Sequence, residues 1–274
     1  DRRYGVVFRL DLTAGPEARN ASIEIGSGAE NFRELRMDVD TARFSAFTGD
    51  GDLRVADGTL TWRPPREGGR LSYRADITHR RLGGAYDARV SDEYALFRGN
   101  DVFPPAATRT LRGARAEAEL EFDLPRGWST ATRYLEADGE NRYVVANEDR
   151  RFSRPSGWML AGRIGVRRSL IADRRVVLAA PVGEGFRRMD VMAFLNWTLP
   201  ELTRVFPGID ERLIVVGAGD PMWRGGLSGP GSLFVHADRP LISENGTSTL
   251  LHELVHVSLG IAGPRHDDWI VEGL

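Results

Sequence analysis

The sequence predicts an α+β protein: an all-β domain over residues 1–155, sandwich-like, followed by a domain of strands and helices over 156–274. Three observations carry this. In the first half, apolar residues recur at every second position, the period of a strand with one wet face. No stretch of helical period and useful length precedes residue 185. Beyond 155, continuous apolar runs alternate with amphipathic stretches, as expected where helices pack on a sheet.

The strands expected in the first half are Val6–Leu12, Ala21–Ile25, Phe32–Val39, Gly58–Trp62, Leu71–Ile77 and Ala116–Phe122. Thr48-Gly49-Asp50-Gly51 reads as a turn, and Pro64-Pro65 and Pro104-Pro105 interrupt the strands. The pattern suits an antiparallel sandwich or an open curved sheet. The character changes after Arg154-Pro155-Ser156-Gly157. Arg175–Ala180 and Leu213–Val216 read as buried strands, and Ser232–His236 as a shorter, more polar one. Residues 187–206 suit one or two amphipathic helices around Pro200, and Asn245 or Ser248 opens a last helix. No internal repeat or low-complexity tract interrupts this layout.

A chain of 274 residues is long enough for two domains with cores of their own. A net charge of -2 gives no general attraction to nucleic acid or anionic membrane. All 37 basic residues are arginine, scattered among acidic ones, which points to a GC-rich genome rather than a binding face. No apolar run approaches the roughly 20 residues of a membrane span. The absence of cysteine excludes disulfides, thiolate metal sites and cysteine nucleophiles. The chain starts at Asp1, and a cleaved signal peptide is one explanation.

The chemistry concentrates in His252-Glu253-Leu254-Val255-His256. Two histidines four apart share one face of a helix, so both imidazoles can reach one ion. Glu253 lies beside them as a general base for metal-bound water. Leu251, Leu254, Val255, Val257 and Leu259 make the helix otherwise apolar, and a polar trio buried there needs a partner to offset its desolvation. Glu272, within Trp269-Ile270-Val271-Glu272-Gly273, can supply a third ligand from a second helix. The expectation is one Zn2+ per chain on His252, His256 and Glu272. A third-histidine arrangement is disfavoured, because Leu259 and Ala262 stand where it requires glycine and histidine. His266, in the polar loop 264–268, is an alternate ligand, a substrate contact or a solvated loop residue.

These motifs resemble those of the gluzincin zinc peptidases, and within them the glycyl aminopeptidase family, with the leucine-type aminopeptidases as cousins. The matching residues are His252, Glu253 and His256, then Trp269, Glu272 and Gly273; Val271 replaces the cousins' asparagine, and the interval between the two motifs is shorter. The resemblance implies that 156–274 is the sheet-and-helix upper half of a thermolysin-like zinc peptidase domain. It also implies that Gly225-Gly226-Leu227-Ser228 precedes an edge strand that pairs with a peptide substrate; a glycine-rich turn is the plainer alternative. The cousins place a glutamate near here to hold a free amino group, whereas this chain has Ser228, Gly229 and Pro230. Asp267 or Asp268 would orient a ligand histidine or cap the following helix.

The activity so implied is zinc-dependent hydrolysis of peptide bonds by metal-activated water, aminopeptidase-like. The alternatives are a zinc endopeptidase and a non-catalytic peptide-binding relative. The partner is a peptide or protein substrate; nucleic acid and a transmembrane segment are not expected, and nothing fixes the oligomeric state. The family's transition-state tyrosine lies well downstream of the third ligand, so the chain is expected to be a fragment lacking a helical part beyond 274, with little activity alone. A periplasmic or secreted bacterial location is the family-level expectation.

Overall fold

The computed structural model describes residues 2–13, 19–146 and 152–260. Their packing forms two compact units: Asp1–Ile77, Gly99–Arg126 and Tyr134–Pro155 in one, and Thr78–Arg98, Gly127–Arg133 and Ser156–Leu274 in the other. The second unit thus draws in 78–98 and 127–133, which a single cut at 155 assigns to the first. Strand pairing is the reason. Tyr94–Arg98 and Ser129–Ala131 both lie antiparallel to Trp158–Gly162.

The first unit holds a seven-stranded and a four-stranded sheet. In the larger, the order is Leu135–Glu136, Arg142–Val145, Arg115–Asp123, Arg3–Asp11, Arg19–Ile25, Gly69–Ala75, Phe44–Gly49. The smaller runs Ala106–Thr110, Phe32–Asp38, Thr59–Arg63, Asp52–Ala56. Along Arg3–Asp11 the residues Tyr4, Val6, Phe8 and Leu10 are buried and alternate with wetter ones, as the period-two pattern requires. Tyr4 meets Phe32 of the smaller sheet with ring centroids 5.3 Å apart. One departure from an antiparallel sheet stands at its centre: Arg3–Asp11 runs parallel to Arg115–Asp123. A parallel pair needs a long connection, and alternation within each strand carries no sign of which distant segment returns beside it.

The second unit is built on a five-stranded sheet ordered Ile164–Ile171, Arg174–Pro181, Arg212–Ala218, Ser232–His236, Gly226–Gly229. The three inner strands are mutually parallel and the outer pairs antiparallel. Val176, Leu178, Leu213, Val215, Leu233 and Val235 pack on one face with Leu195 and Leu199 of the Arg188–Val205 helix and Leu250 and Leu254 of the Thr249–Leu259 helix. Ala179, Ile214, Val216 and Phe234 point to the other face, against Leu96, Trp158 and Leu160 of a second sheet. Burial on both faces explains why these strands read as unbroken apolar runs rather than alternating ones. That second sheet runs Ser129–Ala131, Trp158–Gly162, Tyr94–Arg98, Tyr86–Val90, His79–Arg80.

Candidate active site

The Thr249–Leu259 helix is locally determined. The Ser248 hydroxyl accepts a hydrogen bond from the Leu251 amide at 3.3 Å, satisfying a donor that the first turn cannot. Gly260 closes the helix in the left-handed region at φ 65°, where glycine carries no steric penalty. Leu250, Leu254 and Val257 form the buried face, and Glu253 lies among them, 9% exposed. His252 and His256 stand one turn apart on the flank, partly buried, with their Nε2 atoms 2.9 Å apart. One of the two nitrogens donates to the other in this pairing.

Glu253 faces the sheet. A Cβ placed on Gly226 would lie 2.5 Å from Glu253 Cγ and 2.9 Å from its Oε1, so the carboxylate rests against a strand position that tolerates no side chain. Gly226 opens the strand Gly226–Gly229, the last of its sheet, which pairs only with Ser232–His236 among the described residues. The Gly225 carbonyl accepts from the His236 amide at 3.0 Å. Bonded and non-bonded pairs alternate along an antiparallel ladder, so Leu227 bonds inward to Phe234 while Gly226 and Ser228 turn their amides and carbonyls to the open edge. The Trp158 indole donates to the Leu227 carbonyl at 2.8 Å and stiffens the strand.

The sequence-derived site is therefore brought together in part. Glu253, His252 and His256 share one helix. The resemblance places Gly225-Gly226-Leu227-Ser228 ahead of the edge strand; instead Gly226–Gly229 is itself the edge strand beside that helix, and Ser232–His236 lies one strand inward, because the glycine segment pairs back on it. Glu272, Asp267, Asp268 and His266 lie outside the described residues. The expectation of one Zn2+ per chain is corrected: among the described residues no group of three or more His, Cys, Asp or Glu side chains can hold a metal ion. Within the described residues the Thr249–Leu259 helix contributes two imidazoles, and its acid, Glu253, rests against Gly226; the expected third ligand, Glu272, is not among them.

Sequence reading overlooked the flank of this edge strand. Trp223 and the hairpin strands His79–Arg80 and Tyr86–Val90 are joined there: the Tyr86 amide donates to the Pro221 carbonyl at 3.0 Å, and the Trp223 amide to the Tyr86 carbonyl at 2.9 Å. The only sequence signal was a tryptophan just before a double glycine. Close by, His236 is 1% exposed, and its Nδ1 accepts from the Asp238 amide at 3.2 Å. The Arg224 guanidinium, hydrogen-bonded to Asp220, holds that carboxyl below the usual carboxylate range, and the nearby His236 adds to the effect.

Comparison with models of known families and with curated proteins finds no match. Solved structures do match. An aminopeptidase N family protein from Idiomarina loihiensis superposes with a TM-score of 0.68 at 12% identity, over 92% of this chain and 47% of that one. Yeast LTA4 hydrolase in complex with bestatin gives a TM-score of 0.53 at 13% identity, over 92% of this chain and 43% of that one. Native yeast LTA4 hydrolase gives 0.51 at 15% identity. The likeness is one of fold. The chain spans less than half the length of each of these proteins.

Proposed function

We propose that the chain is the substrate-aligning part of a peptide hydrolase, in which an extended peptide adds to the open edge of Gly226–Gly229 and Glu253 moves the proton of the attacking water. The observation that carries this reading is the juxtaposition of the Glu253 carboxylate with Gly226 on an edge whose amides and carbonyls face outward. Strand addition supplies orientation through main-chain hydrogen bonds. Glu253 takes a proton as the water oxygen bonds to the peptide carbonyl carbon, then gives it to the amine nitrogen as the C–N bond breaks. The fold shared with aminopeptidase structures supports the class of reaction, and the motif residues resemble the glycyl aminopeptidase family most. Ser228, Gly229 and Pro230 offer no carboxylate for a free amino terminus, which favours attack within a peptide as much as at its end.

A second reading, peptide binding without hydrolysis, rests on the open edge of Gly226–Gly229, which can pair with a peptide whether or not Glu253 acts on it. Turnover of free-amino and blocked peptides by the protein and its Glu253→Gln variant separates the two. Hydrolysis that falls by a factor on the order of 100 or more in the variant, with binding retained, supports the first. Equal turnover by both proteins sinks the role of Glu253. Binding by both without turnover selects the second reading.

A further inference from the structure

Trp223 stands at the head of the same edge strand and has no role in the reading above. Its indole lies across Gly225: a Cβ there would meet the ring nitrogen at 2.3 Å. The Arg81 guanidinium stacks over the ring, 4.2 Å from its centroid. Arg81 is itself held by a hydrogen bond to Asp87, which His79 also contacts at 3.2 Å, and by its amide's bond to the Ala85 carbonyl at 2.8 Å. The backbone on either side is fixed as well. Met222 is fully buried, and Trp223 is tied through its amide to Tyr86. Yet Trp223 remains 37% exposed. A large apolar ring held this firmly and still open to solvent is a preorganised contact surface.

Its position gives it a partner. Successive Cβ directions along a strand point to opposite faces. At Gly226 that direction meets Glu253 and Thr249, and at Gly225 it meets Trp223; at Gly229 it meets Trp158, on the same side as Gly225. Glu253 and Trp223 therefore flank the edge strand from opposite faces, one residue apart. A peptide paired along the open edge sends alternate side chains to these two faces. Those on one side pass Glu253; the neighbour on the other side passes Trp223, with Leu227 next along.

Resting on the peptide-hydrolase reading, we propose that Trp223, stacked by Arg81, is a specificity-determining wall that selects an aromatic side chain on the peptide residue lying opposite Gly225. The charge pattern argues against a basic side chain. One face of the ring is already covered by Arg81, whose own charge repels a second cation. An aromatic ring gains the exposed part of the indole at no such cost.

The test is the affinity of short fluorescein-labelled Ser/Thr/Ala peptides carrying one central Phe, Lys or Ala, measured by anisotropy with the intact protein. Glu253→Gln is used as the parent so that cleavage does not interfere. The Phe peptide is expected to bind about tenfold more tightly than the Ala peptide, and the Lys peptide no better than Ala. Trp223→Ala should remove most of that preference, and Trp223→Phe should keep most of it, which guards against a fold defect in the first variant. Arg81→Ala, which leaves the indole in place but unclamped, should reduce the preference part-way. A preference for Phe that survives Trp223→Ala overturns the inference while leaving strand addition intact, as does a preference for Lys. No binding of any peptide by the parent overturns the strand-addition reading itself, and with it this inference.

Discussion

At Gly226 the candidate site depends on the absence of a single carbon atom. Glu253 Cγ occupies the space a side chain would take, so Gly226→Ala must displace the carboxylate or the strand. The expected cost is about 1–3 kcal/mol in urea unfolding, with peptide turnover lost alongside. A variant as stable and as active as the parent would show that the close approach has no consequence. Asp220 offers a test with a different readout. Arg224 holds its carboxyl below the ordinary range, so Arg224→Ala should move the Asp220 titration upward, followed by carboxyl NMR. An unchanged titration would remove Arg224 as the main cause. That His252 and His256 share one flank of a helix was legible at this scale, because four-residue spacing on a helix fixes a shared face. The direction of Glu253 was not, since that is set by a strand more than twenty positions away in sequence.

The Thr249–Leu259 helix carries its own boundaries, and of the two starts left open, Asn245 and Ser248, the structure takes Ser248. Ser248→Ala leaves the Leu251 amide without its cap and should cost about 1 kcal/mol in thermal or urea unfolding. No loss would mean that water replaces the hydroxyl fully. Residues 187–206 left one or two helices open around Pro200; the structure has one, Arg188–Val205, with Pro200 inside it. Proline removes one intrahelical bond, but burial of Val191, Met192, Leu195 and Leu199 along a single face holds both halves in line. Gly226–Gly229 is the instructive omission. Glycine and serine lack strand propensity, and their strand exists because Ser232–His236 pairs with it.

Across the molecule, buried groups set how stability responds to pH and to truncation. Burial pushes the Tyr4 phenol up to about 12 from its ordinary 10.0, and pushes Tyr73 upward as well. The unfolded phenols release protons first, so this contribution is full below pH 10 and is lost as pH rises toward 12. For Tyr4 it is on the order of 2–3 kcal/mol. Urea midpoints measured from pH 8 upward should fall steeply past 10, and a flat profile would contradict the burial of these groups. In the second unit, Leu254 is fully buried between helix and sheet, and Leu254→Ala should cost about 2–5 kcal/mol by urea unfolding. A cost under 1 kcal/mol would mean that the core closes around the gap.

By itself the sequence determined the α+β class, six strands of the first half, the two buried strands of the second, and a helix bearing Glu253 between two histidines. Each is a local property: period, apolar run length, a capping serine, a four-residue spacing. Only the tertiary structure decided that Arg3–Asp11 lies parallel to Arg115–Asp123, that 78–98 and 127–133 belong with the second unit, and that Gly226–Gly229 is an edge strand flanked by Glu253 and Trp223. It also decided that the His252 and His256 imidazoles meet, with their Nε2 atoms 2.9 Å apart. These outcomes depend on which distant segments pair and how closely their backbones approach. A local pattern carries no record of either, because the free energy that selects them belongs to the pair and to neither segment alone.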